Sequence, residues 1–219
     1  MIIEPNSKLV MMGDSITDCE RTRPVGEGLF DALGKGYVSL LDGLLIANYP
    51  KHKIRVVNMG ISGNTVRDLQ DRWQTDVLDL KPDWLSICIG INDVWRHFDT
   101  PFQHEWQVPL YEYTKTLEQL LQRTKPTLKG LILMTPYFIE SNLNDPMRAM
   151  MDEYSTVVRQ LAATYQAVLV DTQAAFDTAL VNLHPMALAW DRIHPNRAGH
   201  MILAQAFLQR LDTHNHPQT

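Results

Sequence analysis

The chain has 219 residues, 45% hydrophobic and 21% charged, enough for one α/β domain with a sizeable core and unlike a disordered segment. Its formal net charge of −5 comes from interleaved acids and bases, with no basic run or stripe, so a nucleic-acid partner is not expected. No apolar stretch approaches the ~20 residues of a membrane span. Two cysteines, Cys19 and Cys88, supply neither a disulfide framework nor a zinc-ligand pair.

The opening segment "MIIEPNSKLV" has neither a basic n-region nor an apolar secretion core, so the expectation is a cytoplasmic protein with free thiols. Residues 8–12 form the first strand candidate, short and apolar, and Gly13-Asp14-Ser15 follows at once. Residues 37–49 read as a helix. A second strand over 54–59 runs into Gly60-Ile61-Ser62-Gly63-Asn64, and a third over 84–89 meets Gly90-Ile91-Asn92-Asp93. Residues 110–123 are helical, with Leu110, Tyr113, Leu117, Leu120 and Leu121 on one side. A strand over 131–134, a helix over 147–165 and a strand over 167–171 come next. The stretch "WDRIHPN", Trp190 to Asn196, precedes a helix over 196–211 that places Leu203, Phe207 and Leu211 at i, i+4 and i+8. Five such strands alternating with helices predict a doubly wound α/β sandwich whose parallel sheet is buried on both faces. A single domain over 1–213 and a frayed tail over 214–219 are expected; His214 and His216 in that tail have no assigned role.

In a doubly wound sheet, ligands sit outside the carboxyl ends of the strands, so the residues after each strand are diagnostic. Ser15 taken alone fits a helix N-cap as well as a nucleophile. A serine hydroxyl hardly ionises at neutral pH and requires a base within hydrogen-bond reach. His194 is the candidate base, and Asp191, three residues earlier, can turn back to orient its imidazole. Pro195 disfavours helical geometry at the histidine and suits a rigid loop. The N–H of Ser15, the N–H of Gly63 and the side-chain amide of Asn92 are candidate donors for an oxyanion, with glycine at 63 admitting close approach to the reacting carbonyl. Asp14 is expected to brace the turn without a direct catalytic role. A metal site from Asp191, His194 and His200 is the less favoured reading, since no other ligand pair has suitable spacing.

The blocks "GDSIT", "GISGN", "GIND" and "DRIHP" resemble the four signature blocks of the SGNH (GDSL) hydrolase family. Longer stretches, among them "RTRPVGEGLFDALGKGYV", "GNTVRDLQDRW" and "ALAWDRIHPNRAGHMILAQAFL", resemble bacterial acetylxylan esterases of that family. The resemblance implies a flavodoxin-like three-layer α/β/α sandwich around a five-stranded parallel sheet. It implies removal of acetyl groups from xylan or xylo-oligosaccharides by a metal-independent double displacement without a cofactor. The nucleophile maps to Ser15, the oxyanion groups to Ser15, Gly63 and Asn92, and the aspartate–histidine pair to Asp191 and His194. Relatives with similar blocks cleave lysolipids and thioesters, and a silent carbohydrate-binding protein is the reading from outside enzymes.

Trp190, Trp95 and Tyr137, beside these blocks or after the fourth strand, are candidates to stack on sugar rings. The irregular segment 19–36 is either a wall of the acyl pocket or a glycine-rich connection. Exposed apolar residues around the substrate loops lead to the expectation of a homo-oligomer.

Overall fold

In the computed structural model, which describes residues 1–212, the five short apolar runs all become strands. They are β1 (Lys8–Gly13), β2 (Arg55–Gly60), β3 (Trp84–Cys88), β4 (Gly130–Met134) and β5 (Val168–Val170). β3 and β4 are buried along their whole length and β1 and β2 after their first residue, as strands covered on both faces must be. All four neighbouring pairs are parallel, and the order is β2-β1-β3-β4-β5. The register sets Gly13 opposite Gly60 on one side and opposite Cys88 on the other, so β2, β1 and β3 end level.

The helices are α1 (Ser15–Asp18), α2 (Tyr37–Asn48), α3 (Val66–Trp73), α4 (Ile91–Asp99), α5 (Leu110–Thr124), α6 (Pro146–Thr164), α7 (Thr172–Leu180) and α8 (Arg197–Leu211). Parallel crossovers are right-handed. The step from β1 to β2 therefore carries its helix to one face, and the steps from β2 through β5 carry theirs to the other. Packing agrees: α2 lies against α8, while α3 meets α5 and α5 meets α6. The result is the expected three-layer α/β/α sandwich. No helix among the described residues is long and apolar enough to cross a membrane.

Periodicity located the long helices within two residues of their ends, and the caps explain the offsets. Asn196 is the N-cap of α8, its Oδ1 accepting from the N–H groups of Ala198 (3.0 Å) and Gly199 (3.2 Å). Asp145 caps α6, with Pro146 at the first helical position. The shorter α1, α3, α4 and α7, of four to nine residues, are too brief for periodicity to mark, and only the N-cap option at Ser15 hints at α1. Each starts within a polar turn after a strand, where the loop reading and the first helical turn coincide. The expected boundary at 213 and the tail 214–219 lie outside the described residues.

α1 sits directly on the strand ends. A Cβ on Gly60 would collide with the backbone N of Asp18 and the carbonyl carbon of Thr17. The buried Asn58 fastens the same helix from β2: its Nδ2 donates to the carbonyls of Thr17 (2.6 Å) and Leu33 (2.8 Å), and its Oδ1 accepts the Gly60 N–H (2.9 Å). Because backbone cannot give way as a side chain end can, Gly60→Ala is expected to destabilise the protein by about 3 kcal/mol, the upper part of the range for overpacking. Urea unfolding measures this; a midpoint equal to that of the parent would contradict the close approach.

Candidate active site

The turn after β1 is built around Asp14, the N-cap of α1, whose Oδ1 accepts the Ile16 N–H at 3.0 Å. Ser15 is thereby the first residue of a helix that starts at the sheet edge. Its Oγ lies 2.9 Å from Nε2 of His194, 179 positions away in the chain. The other ring nitrogen, Nδ1, is 2.6 Å from Oδ2 of Asp191. An ionised carboxylate only accepts, so Nδ1 carries the proton and Nε2 is left to accept from the serine hydroxyl. Asp191 also shapes its own loop, its second oxygen accepting the N–H groups of Ile193 (2.9 Å) and His194 (2.8 Å). Burial works to raise the Asp191 carboxyl, but the hydrogen bonds from His194 and Ile193 outweigh it and hold it below the ordinary value. An orienter, a base and a hydroxyl thus stand in line.

The turn after β2 supplies a backbone donor. Asn64 N–H donates to the Ile61 carbonyl (3.3 Å), and the third residue of the turn, Gly63, has φ +82°. A type II turn requires that positive φ at its third position, which glycine supplies without strain. After β3, Asn92 lies in the first turn of α4, 2% exposed. Its Nδ2 donates to the Asn64 carbonyl (2.9 Å) and its Oδ1 faces Nη2 of Arg96 (3.4 Å). Those two contacts fix the amide orientation and leave its second N–H free for the cleft. Ser15, Gly63, Asn92 and His194 line one cleft of about 430 Å³, with Trp95 and Cys19 among its walls.

The aromatic candidates separate. Trp95 lines this cleft and meets the His194 ring edge-on, with centroids 6.1 Å apart. Trp190 is 83% exposed and lines a neighbouring concavity with His184, Met186 and Arg192. Tyr137 is a correction: it is wholly buried, its ring tilted against Phe176 with centroids 4.5 Å apart, and its hydroxyl points toward the Ile193 carbonyl (3.4 Å). It follows β4 but turns into the core, so no sugar reaches it. Of the segment 19–36, Cys19 and Glu20 line the cleft, while Arg21 is buried beneath it as a brace, its Nε donating to the Gly60 carbonyl (2.7 Å). His200 uses both ring nitrogens structurally. Nδ1 accepts the Tyr37 N–H (3.1 Å), so Nε2 holds the proton and faces the Cys19 sulfur (3.6 Å). Burial lowers its pKa to about 4 and raises that of the Cys19 thiol. No group of residues that could hold a metal ion occurs among the described residues.

Arg72 and Asn64 are site residues that the sequence reading passed over. Arg72 donates from Nε to Asn64 Oδ1 (2.7 Å) and from its Nη atoms to the carbonyls of Met59 (2.6 Å) and Gly13 (3.0 Å), tying the ends of β1 and β2 to the turn that holds Asn92. The only hint in the sequence is an arginine four residues before Asp76, with which it pairs at 2.7 Å.

The profile of the GDSL-like lipase/acylhydrolase family matches residues 11–202. A protein described as acetylxylan esterase, from Geobacillus stearothermophilus, is 60% identical over 211 residues, covering 96% of each chain. The crystal structure of Axe2, an acetylxylan esterase of that organism, superposes with a TM-score of 0.95 at 60% identity, again over 96% of both chains. Structures of catalytic mutants of Axe2, S15A, D191A and H194A, match with the same TM-score at 59% identity and the same coverage.

Two buried acids lie beside the site, Asp14 next to Ser15 and Asp93 next to Asn92, and they bear on how stability varies with pH. Burial pushes the carboxyls of Asp14 and Asp93 up to about 7 from an ordinary 3.8. Asp93 Oδ1 accepts the Val66 N–H (2.9 Å), and its Oδ2 is buried without a partner among the described residues. An acid with a raised folded value keeps in the native state a proton that the unfolded chain has already released. Its contribution to stability is therefore complete below 3.8 and is lost as the pH climbs through about 7. Asp93→Asn retains the acceptor toward Val66 and removes the charge. It is expected to flatten the decline in Tm between about pH 4 and pH 7, where parallel curves for the two proteins would contradict the assignment.

Proposed function

This chain belongs to the GDSL-like lipase/acylhydrolase family, and on that footing we propose that it is a serine esterase removing O-acetyl groups from acetylated xylan or xylo-oligosaccharides through an acetyl-enzyme. The observation that carries the reading is the line Asp191–His194–Ser15, at 2.6 and 2.9 Å, opening on the cleft that Gly63 and Asn92 share. His194 Nε2 takes the Ser15 proton as Oγ attacks the acetyl carbonyl, and the imidazolium is stabilised by Asp191. The tetrahedral oxyanion is received by the N–H groups of Ser15 and Gly63 and by the Asn92 amide. As the C–O bond to the sugar breaks, His194 returns the proton to the departing hydroxyl. Water then repeats the sequence on the acetyl-enzyme, releasing acetate and regenerating Ser15.

The substrate rests on the 60% identical acetylxylan esterase, beside which the lysophospholipase or thioesterase reading is not favoured. Trp95 in the cleft and Trp190 next to Asp191 are the assigned sugar-contacting aromatics. Self-association belongs to the same reading, supported by Phe30, Phe102 and Tyr111, large apolar side chains left at the surface. Light scattering after size exclusion gives the state in solution.

Acetate release from acetylated xylo-oligosaccharides is expected to fall at least ~10³-fold in Ser15→Ala. p-Nitrophenyl acetate is expected to be cleaved far faster than the octanoate, and the reverse preference would redirect the substrate to lipids or thioesters. Asn92→Ala is expected to lower kcat by about 10²- to 10³-fold with KM little changed. An unaltered kcat would remove Asn92 from the oxyanion site.

A further inference from the structure

Gly63 lies in open space: a Cβ placed on it would meet nothing within 4 Å. The space beside the glycine is open, and the N–H in question belongs to the Ser62–Gly63 peptide at the centre of the turn. Type I and type II turns differ by a flip of that central peptide, and glycine tolerates both forms. The outer parts of the turn are anchored elsewhere. Ile61 N–H donates to the Gly13 carbonyl (3.1 Å), and Asn64 is held by Arg72. Ser62, the residue that leads into that central peptide, is held by Asp18 alone among the described side chains. Its Oδ2 accepts the Ser62 N–H (3.0 Å), the Ser62 hydroxyl (2.8 Å) and Nη2 of Arg23 (2.6 Å). Its side chain is 5% exposed, and Oδ1 is buried with no partner among the described residues. Asp18 closes the four-residue helix that Ser15 opens.

Building on the proposed roles of Ser15 and Gly63, we infer that Asp18 is a positioning residue that sets the oxyanion hole, clamping Ser62 so that the Gly63 N–H points at the carbonyl attacked by Ser15. One carboxylate thus couples the nucleophile's helix to the donor's turn, and Arg23 offsets a negative charge that would otherwise oppose the developing oxyanion.

The test follows p-nitrophenyl acetate hydrolysis together with inhibition by phenylboronic acid. The boron of that probe accepts the Ser15 oxygen and becomes a tetrahedral anion, with a hydroxyl where the oxyanion would lie. Asp18→Ala is expected to lower kcat by about 10- to 100-fold, less than outright loss of a donor, and to leave KM within about twofold. Phenylboronic acid affinity falls by a like factor. Asp18→Asn, which keeps an acceptor for the Ser62 N–H, recovers part of both losses. Should Asp18→Ala fail to fold, Asp18→Asn and Ser62→Ala, which drops only the hydroxyl bond, are expected to show smaller losses of the same pattern. An unchanged kcat, or a lower kcat with boronate affinity intact, overturns the inference. Ser15→Ala measured alongside separates the two levels. If it stays active, the site itself is misassigned; if it is inactive while the Asp18 variants match the parent, only the role of Asp18 fails.

Discussion

β1 is the strand from which the sheet grows in both directions, with β2 on one side and β3 on the other. Parallel neighbours lie about 4.8 Å apart, so the three turns that leave their carboxyl ends are forced into one small area. The middle turn carries Ser15 and the outer two carry Gly63 and Asn92. A hydroxyl flanked by two donors is therefore a product of strand order before any side chain is chosen. The same residues placed after β3, β4 and β5 would form a row to one side of the switch point, with no crevice between diverging helices.

Strand order brings the turns together without aiming them, and the aiming is left to buried polar side chains. Asn58 and Arg72 each satisfy several backbone groups at the strand ends, and Asp18 satisfies the Ser62 N–H, where a turn would otherwise present orphan donors and acceptors. Each is desolvated, and that cost is offset because nearly every polar atom finds a partner in fixed geometry. Their rigidity reaches the reacting groups through the backbone: Asn58 and Asp18 through α1, Arg72 through Asn64. Asp93 shows the other solution to burial. Fully buried and without a cation bound to it among the described residues, its carboxyl is pushed up to about 7, and its Oδ1 accepts the Val66 N–H at the start of α3.

Short, mainly apolar runs bounded by Gly, Asp and Asn make all five strands legible from the chain, and helical periodicity does the same for the four long helices α2, α5, α6 and α8. The candidate site's groups are legible for the same reason, since each sits one to four residues beyond a strand or in the loop before the last helix. Tyr137 shows the limit. It follows a strand as Ser15 does, yet period and spacing cannot tell that its ring turns inward onto Phe176. Asp18 and Arg72 were opaque because their roles come from contacts 44 and 59 positions away, and an acid or an arginine on a short helix ordinarily reads as solvated surface.

Ser15 and His194 bracket almost the whole chain, whereas Asp191 and His194 occupy one short loop fixed to the start of α8. α8 in turn packs on α2, the first long helix. During synthesis Ser15 and the turns of Gly63 and Asn92, the proposed nucleophile and oxyanion donors, emerge from the ribosome before His194, the proposed base, is made. On the proposed roles, the growing polypeptide stays silent toward esters until the loop before the final helix, which carries both Asp191 and His194, has been made and packed.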